Sequence, residues 1–199
     1  MRILIVGATG TIGQAVVAAL RPRHELILAS RGKSHERVDL ADVDSIRALY
    51  KRVGRVDAVV GVAGEAAYKP LAQLADEDFA FSLRSKLMGQ VNLVRQGVES
   101  VADAGSFTLT TGILATRPTI GGAAISMVNA GVDAFARAAA LELPRGIRIN
   151  TVSPPWVSET LTAMGRDPSG GLPAAEVARS YVESVEGKQT GVVITPKRR

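Results

Sequence analysis

The sequence has no cysteine, which excludes disulfides, thiolate nucleophiles and cysteine-ligated metals together. Histidine occurs only twice. Neither His24 nor His35 has carboxylates at metal-ligand spacing, so no metal site is expected. No apolar run reaches the roughly eighteen residues of a membrane-spanning helix. The stretch Ile3–Val6 is too short for a signal peptide and leads into a glycine turn rather than a small-residue cleavage site. A cytoplasmic location without a membrane partner is therefore expected. Aromatic residues make up only 4% of the chain and are not interleaved with bases as in single-strand nucleic-acid binders. The formal net charge of +5 comes from scattered side chains and the tail Lys197, Arg198 and Arg199. It implies no nucleic-acid partner, and a basic balance suits a ligand that carries several phosphates.

What is present is an ordinary globular hydrophobic fraction of 46% in a chain of one domain's length, residues 1–199. Strand and helix patterns alternate. Strands are expected at Arg2–Val6, Glu25–Ser30, Arg37–Leu40, Val56–Gly61, Ser106–Thr111, Ile147–Val152 and Gly191–Thr195. Helices are expected at Thr11–Leu20, Val43–Val53 with Asp42 as N-cap, Asp76–Val101, Gly121–Leu143 and Pro173–Val185. Pro154–Leu172 reads as one long irregular stretch, of the kind that often forms a substrate lid. Strands joined by helical crossovers imply an α/β fold: a doubly wound, Rossmann-type parallel sheet of about seven strands with helices on both faces. In such sheets a ligand sits at the carboxyl ends of the strands, where the winding reverses.

The first strand runs into Gly7-Ala8-Thr9-Gly10-Thr11-Ile12-Gly13, which opens the first helix. A tight turn of small residues lets backbone approach a pyrophosphate, and the helix N-terminus offers free N–H groups and a positive dipole end. The end of the second strand reads Ala29-Ser30-Arg31-Gly32. Enzymes that use NAD usually place an acid there for the ribose 2′-hydroxyl, whereas Arg31 suits a 2′-phosphate. The expected cofactor is NADP(H), with His24 and His35 toward its adenine side.

Together these segments resemble the short-chain dehydrogenase/reductase family, and the resemblance runs along nearly the whole chain. Gly7 to Gly13 is similar to the family's cofactor loop, with Thr9, Gly10, Thr11 and Ile12 inside it. Asp39-Leu40 resembles the pair that contacts adenine. Val62-Ala63-Gly64 stands where the family has Asn-Ala-Gly. Arg148 to Pro154 resembles the strand that leads to the nicotinamide site, with Pro154 and Val157 beside the cofactor. Thr190-Gly191 resembles the opening of the last strand. The resemblance implies an NADP(H)-dependent oxidoreductase acting on a small carbonyl or alcohol, a trimmed substrate region between Pro154 and Leu172, and a homodimer or homotetramer formed through the two long helices.

The family's chemistry uses a Tyr as general acid, a Lys four residues later that lowers its pKa, a Ser and an Asn. Here the corresponding segment, Ile125 to Val132, puts Ile125 at the Tyr position and Asn129 at the Lys position. The Ser position falls on Gly112, next to Thr111, and the Asn position falls on Lys86. No Tyr occurs between Lys69 and Ser180, and no Lys between Leu87 and Gly187. The candidate catalytic residues are therefore Lys86, Thr111 and Asn129, with Lys86 moving the missing cation to the neighbouring helix. Thr110 is a weaker alternative to Thr111. Tyr68 is the only tyrosine near the expected mouth, since Tyr50 and Tyr181 read as packing residues, and Trp156 is expected either to cover the nicotinamide or wall the pocket, or to anchor the loop on the sheet edge. The competing reading is a catalytically silent NADP(H)-binding sensor or regulatory module.

Overall fold

The computed structural model describes residues 1–198; Arg199, the end of the basic tail, lies outside them. The strands are β1 (Arg2–Val6), β2 (Glu25–Ser30), β3 (Glu36–Arg37), β4 (Val56–Gly61), β5 (Val101–Thr110), β6 (Arg148–Val152) and β7 (Val193–Ile194). The α-helices are α1 (Thr11–Leu20), α2 (Val43–Val53), α3 (Asp76–Ser82), α4 (Gly89–Gly97), α5 (Ala123–Glu142), α6 (Ser158–Ala163) and α7 (Ala174–Glu186). The strands form one sheet in the order β3-β2-β1-β4-β5-β6-β7, and every pairing is parallel. The expected Rossmann-type architecture is thus observed. Winding reverses between β1 and β4, so a crevice opens above their carboxyl ends.

Strand alternation assigns the two faces. Leu4, Val6, Val59, Phe107 and Leu109 pack with Ile46, Leu49 and Tyr50 of α2, Leu93 of α4 and Val132 of α5. Ile3, Ile5, Ala58 and Val60 point the other way and pack with Val16 and Leu20 of α1 and Val177 and Tyr181 of α7. Burial on both faces explains why β1 and β4 read as continuous apolar runs rather than alternating ones. Tyr50 and Tyr181 are fully committed to this interior: Tyr50 donates to the Leu93 carbonyl at 2.7 Å, and the Tyr181 hydroxyl lies 2.7 Å from Thr110 Oγ1. Burial raises the pKa of both phenols, so neither supplies a proton near neutral pH.

Several expected boundaries move, each for a physical reason. The expected strand Arg37–Leu40 shifts back to Glu36–Arg37: the edge ladder ends with Val38 N–H on the Ser30 carbonyl at 3.1 Å, after which Val38 and Leu40 turn inward. The single helix expected over Asp76–Val101 is interrupted by a π-helical stretch, Leu83–Met88, and ends before Val101. Val101 begins β5, which reaches Ser106 through an irregular register against β4 and is therefore longer than Ser106–Thr111. The irregular stretch expected over Pro154–Leu172 contains α6 and a short 3₁₀ turn at Pro168–Gly170. It is pinned at its base by Leu172 N–H on Trp156 O at 2.8 Å and Ser158 N–H on Leu172 O at 3.0 Å. His24, expected on the adenine side, instead precedes β2 at the opposite end of the strands, 2.8 Å from Glu186. No helix among the described residues is long and apolar enough to cross a membrane.

Candidate functional site

Two adjoining cavities lie above the carboxyl ends of the strands. The first is lined by Gly7, Thr9, Gly10, Ser30, Arg31, Asp39, Leu40 and Ala63, all expected, and also by Val38, Val62, Glu65 and Ser85. The glycine turn shapes its floor. Gly7 and Ala8 both donate to the Ala29 carbonyl, at 2.9 and 3.3 Å, so the turn folds back over β2. A Cβ on Gly13 would drive into the Gly7 carbonyl, so the helix can start this close to the strand only with glycine there. Gly10 is the N-cap of α1 and has no side chain to cap it, which leaves the first-turn N–H groups of Thr11, Ile12 and Gly13 without an intrahelical acceptor. Thr11 and Gly13 themselves border neither cavity; Gly13 is buried beneath the turn and Thr11 is exposed.

Arg31 is exposed but paired. Its Nη2 donates to Glu65 Oε1 at 2.8 Å, and this bond raises its pKa. Glu65 follows Gly64 on the loop after β4. That loop is fastened to the α3 segment by Glu65 N–H on Ser85 Oγ at 3.0 Å and Ala67 N–H on Ser82 Oγ at 2.9 Å. Asp39 lies close enough to add to the field on Arg31, while its Oδ1 accepts from Ala41 N–H at 2.9 Å.

The second cavity brings together Lys86, Thr111 and Asn129 with Ile12, Gly64, Pro154 and Val157, and its walls are mostly apolar: Ile113, Leu114, Ile125, Pro155 and Trp156. Lys86 sits in the π-helical stretch. A one-residue π insertion rotates the remainder of the helix by about 100° around its axis, so α-helical spacing alone mis-aims this side chain. Gly64, at φ +122°, lets the β4 loop lie against it; a Cβ there would be 2.9 Å from Lys86 Cδ. Lys86 is 8% exposed. Burial pushes its pKa down to about 8, against the opposing pull of the Asp133 carboxylate. Asp133 is itself buried one helical turn below Asn129 and accepts from Thr151 Oγ1 at 2.6 Å.

The remaining polar groups fall into two classes. Thr110 Oγ1 is consumed by the Gly61 carbonyl at 2.6 Å and by Tyr181. Thr111 Oγ1 has only a long 3.4 Å contact to Val152 O, so of the two threonines this one remains available. Asn129 is 2% exposed, and its Oδ1 has no hydrogen-bond partner, an arrangement that costs free energy unless a ligand donor meets it. Tyr68 does not line the cavity; its hydroxyl lies 3.1 Å from Thr119 Oγ1 and its ring meets Trp156 edge-on at 5.9 Å. The Arg166 guanidinium stands over the Trp156 ring at 5.1 Å. Sequence reasoning missed Glu65 and Asp133. An acid directly after Ala63-Gly64 was the visible sign of the first; the second is an acid in the middle of an Ala-rich helix.

These features fit a dinucleotide. The uncapped α1 terminus follows a turn whose Gly7 and Gly13 have no room for a Cβ, and an unpartnered amide oxygen waits in the adjoining apolar cavity.

Comparison with known proteins agrees with that geometry. A family model described as enoyl-(acyl carrier protein) reductase matches residues 13–188. The crystal structure of a Listeria innocua protein is similar at 46% identity and a TM-score of 0.95, covering 98% of both chains. A small-chain dehydrogenase solved in complex with NADPH superimposes at a TM-score of 0.86 over 98% of this chain and 95% of that one, at 23% identity, and so speaks for the fold. A short-chain dehydrogenase/reductase from Acremonium is 33% identical over 103 residues, 50% of this chain and 39% of the relative. The chain spans about half the length of the curated relatives it matches.

Proposed function

The chain belongs to the short-chain dehydrogenase/reductase family, and from that we propose that it is an NADP(H)-dependent oxidoreductase for a small apolar carbonyl or alcohol, with Lys86 taking over the proton transfer that the family assigns to Tyr. The observation that carries this reading is the convergence of Lys86, Thr111 and Asn129 in one apolar cavity beside the glycine turn. Had the chemistry simply decayed, a buried lysine with a depressed pKa would be a burden with no return.

The first turn of α1 would hold the pyrophosphate, Arg31 the 2′-phosphate, and Asn129 Oδ1 a ribose hydroxyl. A bound nicotinamide would supply or accept the hydride. The chain does the rest. Thr111 Oγ1, only weakly engaged with Val152 O, donates to the substrate oxygen. The Lys86 ammonium gives that oxygen a proton as negative charge grows on it, and takes one back in the oxidation direction. A pKa near 8 suits a group that must hold and release a proton close to neutral pH. Asp133 offsets part of the cost of burying that charge. Ile113, Leu114, Ile125 and Trp156 exclude water, which strengthens each of these polar contacts.

The test is NADPH oxidation with a panel of apolar aldehydes, ketones and quinones, using wild type and Lys86→Met. Turnover by wild type alone, with equal NADPH binding by both proteins, supports the reading; tight NADPH binding with no turnover on any substrate rejects it. That second result would favour the sensor reading, which the replacement of the family Tyr and Lys by Ile125 and Asn129 supports. Its own test is a partner affinity that differs between NADP+ and NADPH. A homodimer or homotetramer is also proposed: Phe81, Leu83 and Met88 on the α3–α4 segment and Met127 on α5 are exposed apolar side chains. Sizing in solution decides it.

A further inference from the structure

The Arg31–Glu65 pair spans more than its two residues. Arg31 follows β2 and Glu65 follows the end of β4, and these strands are not neighbours, because β1 lies between them. Two strand spacings, about 9–10 Å, separate their carboxyl ends, and the long Arg31 side chain closes that gap to a 2.8 Å hydrogen bond. The bond therefore crosses above the end of β1, where the glycine turn begins, and both partners line the cavity over that turn. The loop carrying Glu65 is held by the Ser85 and Ser82 hydroxyls, so the carboxylate is presented from a fixed backbone. Asp39 adds a second carboxylate to the same cavity wall. The wall thus holds two anions against one guanidinium.

We propose that Glu65 is a specificity-determining residue, a carboxylate strap that competes with the ligand for Arg31 and so sets how strongly the site prefers a 2′-phosphate over a 2′-hydroxyl. This rests on the dinucleotide reading of the cleft. A ligand entering over the turn must open the pair. One with a 2′-phosphate recovers the loss by taking the guanidinium in a bidentate contact, but it then lies beside the abandoned Glu65 carboxylate. One with a 2′-hydroxyl gains no such contact, yet Glu65 is then free to accept from that hydroxyl. Glu65 therefore favours the hydroxyl form in relative terms, and the 2′-phosphate preference supplied by Arg31 is held below its full value.

Both side chains are largely exposed, 69% for Arg31 and 54% for Glu65. The effect is accordingly modest and salt-sensitive, and Glu65→Gln should fold normally. The experiment is calorimetric binding of adenosine 2′,5′-bisphosphate and adenosine 5′-monophosphate, then of NADPH and NADH, to wild type, Glu65→Gln, Arg31→Ala and the double variant. The expected result is that Glu65→Gln tightens the two 2′-phosphate ligands on the order of 5- to 10-fold, leaves the 2′-hydroxyl ligands within about twofold or weaker, and loses the gain in the Arg31→Ala background or at high salt. Equal changes for both ligand classes, or no change, overturn the proposal while an Arg31→Ala loss confined to the 2′-phosphate ligands leaves the cofactor reading standing. Failure of wild type to bind any of the four ligands overturns both.

Discussion

The first cavity is made chiefly of backbone and the second chiefly of side chains. In the first, the shape comes from where atoms are missing: Gly7 and Gly13 keep the turn close to its neighbours, and the turn leads into a helix start without a side-chain cap. In the second, an amine, a hydroxyl and an amide project from three different elements into an apolar hollow. A backbone site depends most on the glycines whose Cβ would clash, here Gly7 and Gly13. A side-chain site can move a function from one helix to the next, provided the side chains still meet. On the proposed reading, that is the relation between the family's cation, expected at position 129, and Lys86.

The sharpest break of the comparison comes from giving the first cavity a side chain. Gly13→Val places methyl groups against the Gly7 carbonyl and displaces the turn or the helix. The expected result is loss of NADPH binding by two orders of magnitude or more, with a stability cost of about 3 kcal/mol, read by titration and thermal unfolding. The next largest effect belongs to the second cavity and should leave the first untouched. Lys86→Met is expected to reduce turnover on the order of 10²- to 10³-fold, as for loss of a general acid, with NADPH affinity unchanged. The same substitution should stabilise the protein. The Lys86 pKa falls from its usual 10.5 to about 8 on folding, so between those values the unfolded chain binds more protons than the folded one and wild-type stability rises with pH. Below about pH 8 the full penalty is present, on the order of 3 kcal/mol before the lost Lys packing is counted. Wild type should therefore show a rising stability between pH 8 and 10.5 that Lys86→Met lacks, while its reductase activity falls as pH rises through about 8. A variant both more stable and inactive marks a residue kept for chemistry.

The two cavities were also unequally legible in the sequence. Sheet, winding and first cavity follow from local pattern: apolar runs, crossovers and a glycine spacing that few other structures need. Arg31 was legible as a residue but not as a pair, because Glu65 is 34 positions away and only the strand order brings it near. The second cavity was legible as a set of residues without a geometry. Lys86, Thr111 and Asn129 were named from the family resemblance, but the π-helical stretch that carries Lys86 has no strong local signal, since it depends on how this segment packs against its neighbours. Thr110 and Thr111 look alike in sequence, and only Tyr181 and Gly61 remove the first from play. The continuous helix expected over Asp76–Val101 and the irregular stretch expected over Pro154–Leu172 were corrected for the same reason: tertiary contacts, not propensity, decide where such segments bend.

Moving the cation back tests whether the second cavity holds one position for charge or two. Asn129→Lys would place a second ammonium in a cavity that already holds Lys86, at a site only 2% exposed. The expected cost is about 3 kcal/mol from repulsion and desolvation. Lys86→Asn combined with Asn129→Lys keeps one cation and one amide in exchanged places, and should recover most of that loss in thermal unfolding. Recovery means the site is defined by its charge content; no recovery means that the π-helical stretch makes Lys86 irreplaceable in position as well as in type.

The smallest effect is expected at the rim. Trp156 meets both the Tyr68 ring and the Arg166 guanidinium, on a segment pinned to Leu172 by backbone hydrogen bonds. Because the backbone holds this segment, Trp156→Ala should leave the fold and NADPH binding nearly intact, within about 1 kcal/mol. What it removes is one apolar wall of the second cavity, so KM for apolar carbonyls should rise roughly 10-fold with kcat changed far less, because Lys86 and Thr111 stay in place. A fall in kcat with KM constant would instead make Trp156 part of the reacting geometry, and would move the boundary between chemistry and enclosure outward from the floor of the cavity to its rim.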